Sequence, residues 1–173
     1  MNNFVSPRPS RDEGWALVLQ ALQQRGTCVR RQTACLIVDE NNRLLSLGYN
    51  GVAPGFPHCN EGNPCYPGAA PGSAVSGDAG NESSNCEANH AEASCLVWLP
   101  DPRLAKSLYC TNLPCHSCAK LILQTAVTYV YALEDYPDHR GLELLLRKPG
   151  MEVRVANVGY RKLGNYTSKY EVG

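Results

Sequence analysis

Two short stretches, His90-Ala91-Glu92 and Pro114-Cys115-His116-Ser117-Cys118, constrain this chain more than anything else in it. A catalytic zinc ion takes three protein ligands of nitrogen or sulfur type and keeps a fourth position for water. His90, Cys115 and Cys118 supply that set, and any fold that uses them must bring two distant segments to one point. Glu92, close behind His90, is placed to handle protons beside the metal without binding it.

Either stretch alone is weak. C-x-x-C is also the pattern of structural zinc knuckles and redox pairs, and H-A-E is an ordinary helical tripeptide. Together they exclude more. A structural zinc site needs a fourth ligand, and it leaves Glu92 without a role. Each stretch falls at a predicted helix start, where unpaired N–H groups favour thiolate over thiol. Two thiolates and a neutral imidazole offset the charge of the ion, which brings a water in the fourth position toward ionisation near pH 7. The pattern thus points to metal-assisted hydrolysis with a glutamate as proton carrier.

The length of 173 residues fits one domain, residues 1–173, with a single core. The formal net charge of +0 argues against a partner bound through its phosphate backbone, which calls for a basic excess. No apolar run approaches the roughly 18 residues that span a bilayer, so no membrane partner is expected. The N-terminal residues MNNFVSPRPSRDEG hold no apolar signal core. The expected location is a reducing cytoplasm, or a host cytoplasm if the source is viral. There, nine cysteines serve as metal ligands or core fillers rather than disulfides, and an odd count resists full pairing.

In chain order, residues 1–10 read as a loose arm. Trp15, Val18, Leu19 and Leu22 recur at helical spacing, so a helix is expected from about Asp12 to Gln24, with Trp15 in the core. Ala34–Val38 reads as a buried strand, and Arg43–Gly48 returns as a second after the turn Asp39–Asn42. The stretch 52–89 is rich in Gly, Pro and Ser, a long insertion that carries Cys59, Cys65, Cys86 and His58. Further expected elements are a helix at Asn89–Leu99, a strand at Ser107–Thr111, a helix opened by Pro114 and running to Thr125, a strand at Thr128–Leu133, a helix at Leu142–Arg147 and a strand at Glu152–Val158. The alternation predicts an α/β fold, a three-layer α/β/α sandwich around a mixed five-stranded sheet.

The joint motif H-A-E … P-C-x-x-C matches the signature of the zinc nucleobase deaminases. Within that superfamily the chain resembles the deoxycytidylate (dCMP) deaminases over roughly residues 28–133, which implies a cytidine deaminase-like fold. Arg30–Val38 is similar to the family's first-strand segment, and Gly48-Tyr49-Asn50-Gly51, with Gly55 and His58-Cys59 after it, matches a stretch typical of these enzymes. The chain departs from the family at Thr33-Ala34-Cys35, where Val-Gly-Ala is usual, and at Ser94, where many members have Asn. Both departures leave the zinc motif intact.

The resemblance implies hydrolytic deamination of dCMP to dUMP and ammonia, with Glu92 catalytic and His90, Cys115 and Cys118 holding zinc. Glu92 would move a proton from water to N3 of the cytosine and help the amino group leave. Asn50 is expected to touch the deoxyribose; its alternative is a turn residue before Gly51. Arg30 or Arg31 could meet the phosphate, as guanidinium suits phosphate bidentately, or face solvent. Some viral and bacterial members hold a second, structural zinc. Here Cys28, Cys59 and Cys86, with Cys65 or His58, could close such a site; otherwise Cys28 and Cys59 are buried thiols. Cys35, Cys95 and Cys110 read as core. Family members are commonly homohexamers activated by dCTP and inhibited by dTTP, so a regulatory nucleotide, bringing Mg2+ with it, is also expected. Two alternatives stay open: deamination of dCTP or of a nucleic-acid base on the same scaffold, and a catalytically silent zinc protein that binds nucleotides and regulates partners. The intact Glu92 speaks against the second.

Overall fold

The computed structural model describes residues 8–61, 87–156, 158–163 and 166–171. Its first helix, α1 (Arg11–Gln23), starts where the sequence offers a capping box. The Ser10 hydroxyl accepts from the Glu13 amide at 3.2 Å, and the Glu13 carboxylate accepts from the Ser10 amide at 2.6 Å, so two otherwise unpaired N–H groups are met at once. Strands β1 (Ala34–Val38) and β2 (Leu44–Tyr49) follow as an antiparallel pair. Between them the Asp39 carboxylate accepts from the amides of Asn41 and Arg43, and Asn42 takes a left-handed φ of 62°.

The second half is α2 (Ala91–Val97), β3 (Ser107–Asn112), α3 (His116–Ile122), β4 (Tyr129–Glu134), α4 (Arg140–Leu145) and β5 (Glu152–Val155). Helices α2 and α3 are shorter than their sequence patterns predict, and α4 keeps its predicted length but starts two residues earlier. Asn89 is paired with Gly51 in an isolated antiparallel bridge, so α2 begins only after His90. Pro114 does not open α3; Cys115 is extended (φ −66°, ψ 170°) and caps the helix, with Pro114 before it.

The sheet order is β2-β1-β3-β4-β5-β6-β7. The first five strands form the expected mixed sheet: β1 is antiparallel to β2 and β3, while β3, β4 and β5 run parallel. The last two, β6 (Val158–Leu163) and β7 (Tyr166–Glu171), were not expected. The predicted strand Glu152–Val158 straddles a hairpin: Ala156 turns left-handed at φ 48°, and Val155 pairs with Val158 across the turn.

Two packed layers cover the sheet. On one face Cys35, Ile37, Leu108, Cys110, Val130, Ala132 and Val153 meet the buried residues of α2, α3 and α4. On the other, Ala34, Leu36, Val38 and Tyr109 meet Leu19, with Trp15 packed against them. β1 is buried on both faces, which is why its sequence is an unbroken apolar run. On the α1 face Tyr109 and Tyr129 donate their hydroxyls to Asp12 at 2.9 and 2.6 Å, and Trp15 donates its indole N–H to Asn42 at 2.7 Å. Among the described residues no helix is long and apolar enough to cross a membrane.

Candidate metal centre and active site

The sheet sets the site by where its strands end. β3 delivers Leu113, Pro114 and Cys115 past its C-terminal end, the usual place for a ligand pocket in a sheet with parallel strands. His90 and Cys115 each cap the start of a helix, in extended backbone, and Cys118 lies on the first turn of α3. The C-x-x-C spacing bends back on itself: the Cys118 amide donates to the Cys115 sulfur at 3.4 Å.

His90 Nδ1 lies 3.5 Å from the Cys115 sulfur and 3.5 Å from the Cys118 sulfur. Zinc bonds of about 2.0–2.1 Å to nitrogen and about 2.3 Å to sulfur, at tetrahedral angles, separate N and S by about 3.5 Å. Both nitrogen–sulfur separations therefore match a zinc site. Among the described residues this donor set is the one group of three or more His, Cys, Asp or Glu whose ligand atoms gather this closely, all within 4.8 Å. Both sulfurs are buried.

Glu92 is buried beside them. Burial pushes its carboxyl up to about 7, against the downward pull of the His90 ring. A carboxyl poised there can both take and give a proton near neutral pH. Beneath it stand three more buried thiols, Cys35, Cys95 and Cys110, with Cys35 directly opposite Cys110 across β1 and β3. Burial raises the Cys35 and Cys110 thiols well above the ordinary thiol range, so they stay protonated and act as core, as their place in the sequence implied.

Asn50 is buried at the end of β2 and ties the loop ahead of β1 to it. Its side-chain oxygen accepts from the Thr33 amide at 2.8 Å and its side-chain nitrogen donates to the Arg31 carbonyl at 2.6 Å. One lone pair and one amide hydrogen remain for anything else it meets. Arg31 pairs with Glu134 at 3.0 Å, both largely exposed, and Asn112 donates to the same carboxylate. Arg30 is half-buried and lies outside the metal cluster, as do Cys28 and Cys59. Cys86 and Cys65 lie outside the described residues.

Two residues seat α2: Ser46, which the sequence reading passed over, and Gly48, which it named only as part of a motif. Ser46 is buried and donates to the Cys95 carbonyl at 2.6 Å. A Cβ at Gly48 would come 2.7 Å from the Ala91 carbonyl oxygen and 2.9 Å from the Cys95 Cα, so the backbone of α2 lies directly on β2. The available signal was one polar residue and one glycine at alternate positions of an otherwise apolar strand.

Residues 9–134 match the family model described as the cytidine and deoxycytidylate deaminase zinc-binding region. The chain belongs to the cytidine and deoxycytidylate deaminase family. Among curated relatives, the deoxycytidylate deaminase of Mycobacterium phage D29 is 32% identical over 124 residues, covering 71% of this chain and 94% of that one. The Schizosaccharomyces pombe deoxycytidylate deaminase is 29% identical over 149 residues, 85% of this chain but 44% of that one, so the chain spans less than half of the yeast enzyme. Among solved structures, the dCMP deaminase of cyanophage S-TIM5 in complex with dCMP and dUMP superposes with a TM-score of 0.65 at 26% identity, covering 86% of this chain and 98% of that one. RibD of Acinetobacter baumannii, at 19% identity and a TM-score of 0.55, shares the fold. For a family deaminase, the His90, Cys115 and Cys118 cluster is the expected zinc site.

Proposed function

We propose that this deaminase converts dCMP and water to dUMP and ammonia. The observation that carries the reading is the buried Glu92 beside a cluster of three nitrogen and sulfur donors, His90, Cys115 and Cys118. Zinc bound by His90, Cys115 and Cys118 supplies Lewis-acid activation of water. Glu92 takes the proton that water gives up, passes it to N3 of the cytosine, and assists the 4-amino group as it leaves. Burial of the site keeps bulk water from competing for that proton. The choice of dCMP is supported by the relatives, several of which are named deoxycytidylate deaminases, one seen with dCMP and dUMP.

The finer parts of the reading rest on less. Asn50, with one donor and one acceptor still available, is assigned to the deoxyribose, and Arg30 to the phosphate. A second zinc on Cys28, Cys59 and Cys86, with Cys65 or His58, follows from the family resemblance alone; among the described residues Cys28, Cys59 and His58 do not gather into a metal cluster. Regulation by dCTP and dTTP, with Mg2+ accompanying the nucleotide, assembly into hexamers and a cytoplasmic location follow from the family resemblance alone.

The test is a substrate panel. The zinc-loaded protein is given dCMP, CMP, dCTP and deoxycytidine in turn, with and without dCTP or dTTP as effectors, and loss of cytosine absorbance is followed. Turnover of dCMP that a zinc chelator abolishes supports the reading. Turnover of dCTP in preference keeps the chemistry and moves the substrate. If zinc-loaded protein leaves all four untouched, the dCMP assignment fails. Zinc content by mass spectrometry decides between one and two ions per chain.

A further inference from the structure

Gly141 is a buried residue in the first turn of α4. Its φ is not positive, unlike those of Gly55 and Gly150, so the backbone there asks nothing that only glycine can give. Glycine is also among the poorest helix formers. Its place in a six-residue helix calls for a steric reason. A Cβ at Gly141 would overlap the Pro114 carbonyl oxygen and stand 2.8 Å from the carbonyl carbon and 3.0 Å from the oxygen of Cys115. All three are backbone atoms, which cannot swing aside as the tip of a side chain can.

We propose that Gly141 is a positioning residue for the metal centre, its missing side chain letting α4 lie on the Pro114–Cys115 peptide and so fix where the Cys115 sulfur meets His90 and Cys118. The same Cys115 carbonyl accepts from the Ala119 amide at 2.9 Å and begins α3. A methyl group at position 141 therefore displaces the Cys115 sulfur and the first turn of α3 together. His90 comes from α2, on the other side of the site, and does not follow. The 3.5 Å separations that match zinc are lost on one side only. The proposal rests on the zinc reading above, and deepens it by naming a residue outside the ligand set that determines how well the metal is held.

The experiment compares full-length wild type, Gly141→Ala and Gly14→Ala. Gly14 is a helical glycine in α1 with nothing within 4 Å of its would-be Cβ, so it controls for the substitution itself. Zinc affinity is read by competition with a chromogenic chelator, and ligand geometry by the thiolate charge-transfer and d–d bands of the cobalt-substituted protein. Gly141→Ala is expected to bind zinc about 10–100-fold more weakly, the range for residues that back up a metal ligand, and to shift the cobalt bands. Gly14→Ala should match wild type in both. Wild-type affinity and bands in Gly141→Ala would overturn the proposal while leaving the zinc site standing. If Gly141→Ala folds only with metal, the cobalt spectrum at saturation decides, shifted bands supporting and wild-type bands overturning. A wild type that takes up no zinc fails both readings together.

Discussion

Asp12 and Glu92 lie on opposite faces of one sheet, each in the first turn of its helix. Asp12 receives hydroxyl hydrogen bonds from Tyr109 and Tyr129, and Arg154 stands 3.6 Å away. Its charge is answered by donors that also tie α1 to β3 and β4. Glu92 has buried thiols around it instead, and burial is the strongest influence on its carboxyl. One acid holds two elements together; the other is left able to exchange a proton. The difference teaches that an acid's surroundings set its work: donors that answer the charge make Asp12 a tie between elements, and burial that raises the carboxyl leaves Glu92 able to exchange a proton.

The largest effect tests that contrast directly. Glu92→Gln keeps the shape and removes the proton carrier, so kcat on dCMP should fall about 10²–10⁴-fold. The melting temperature should not fall, because a desolvated carboxyl is replaced by a neutral amide. A variant that lost stability and kept its activity would reverse the roles of the two acids.

Asp12→Asn should do the opposite. It leaves a tyrosine hydroxyl without its acceptor and should lower stability by about 1–3 kcal/mol in urea unfolding, with kcat unchanged well below the melting temperature. A drop in kcat at full folding would mean that the two faces are coupled.

The smallest effect is an alkaline one. Burial first, and then Asp12, holds the Tyr109 and Tyr129 phenols protonated well above the ordinary tyrosine range. The unfolded chain loses those protons from about pH 10. Above that pH the folded state binds more protons than the unfolded one, so stability is complete below pH 10 and is lost as pH rises through the higher folded values. Tyr129→Phe should flatten that decline, read as unfolding midpoints between pH 8 and about 11. An unchanged slope would place the loss elsewhere.

The metal site was legible because its spacing is dictated by chemistry. Two sulfurs separated by two residues at a helix start can meet one ion, and the His-x-Glu stretch further back supplies the third ligand and the proton carrier. The five-stranded core was legible because β1, β3 and β4 are apolar or β-branched runs. The hairpin was not. Its turn puts Ala156 at a left-handed φ of 48°, a conformation that alanine does not announce in a sequence. The packing roles of Ser46, Gly48 and Gly141 were illegible for another reason. Each is defined by the backbone of a different element pressing on it, and no pattern along one strand or helix records that. Asn50 was expected to touch the deoxyribose; the partners it shows are the backbone of Arg31 and Thr33.

The added hairpin changes what β5 is exposed to. Paired with β4 on one side and β6 on the other, β5 offers no unpaired backbone to a neighbouring chain. The open margin of the sheet has moved two strands outward, roughly 10 Å at the usual strand spacing. Damage to the hairpin would therefore register first as self-association in concentrated solution, ahead of any change in turnover.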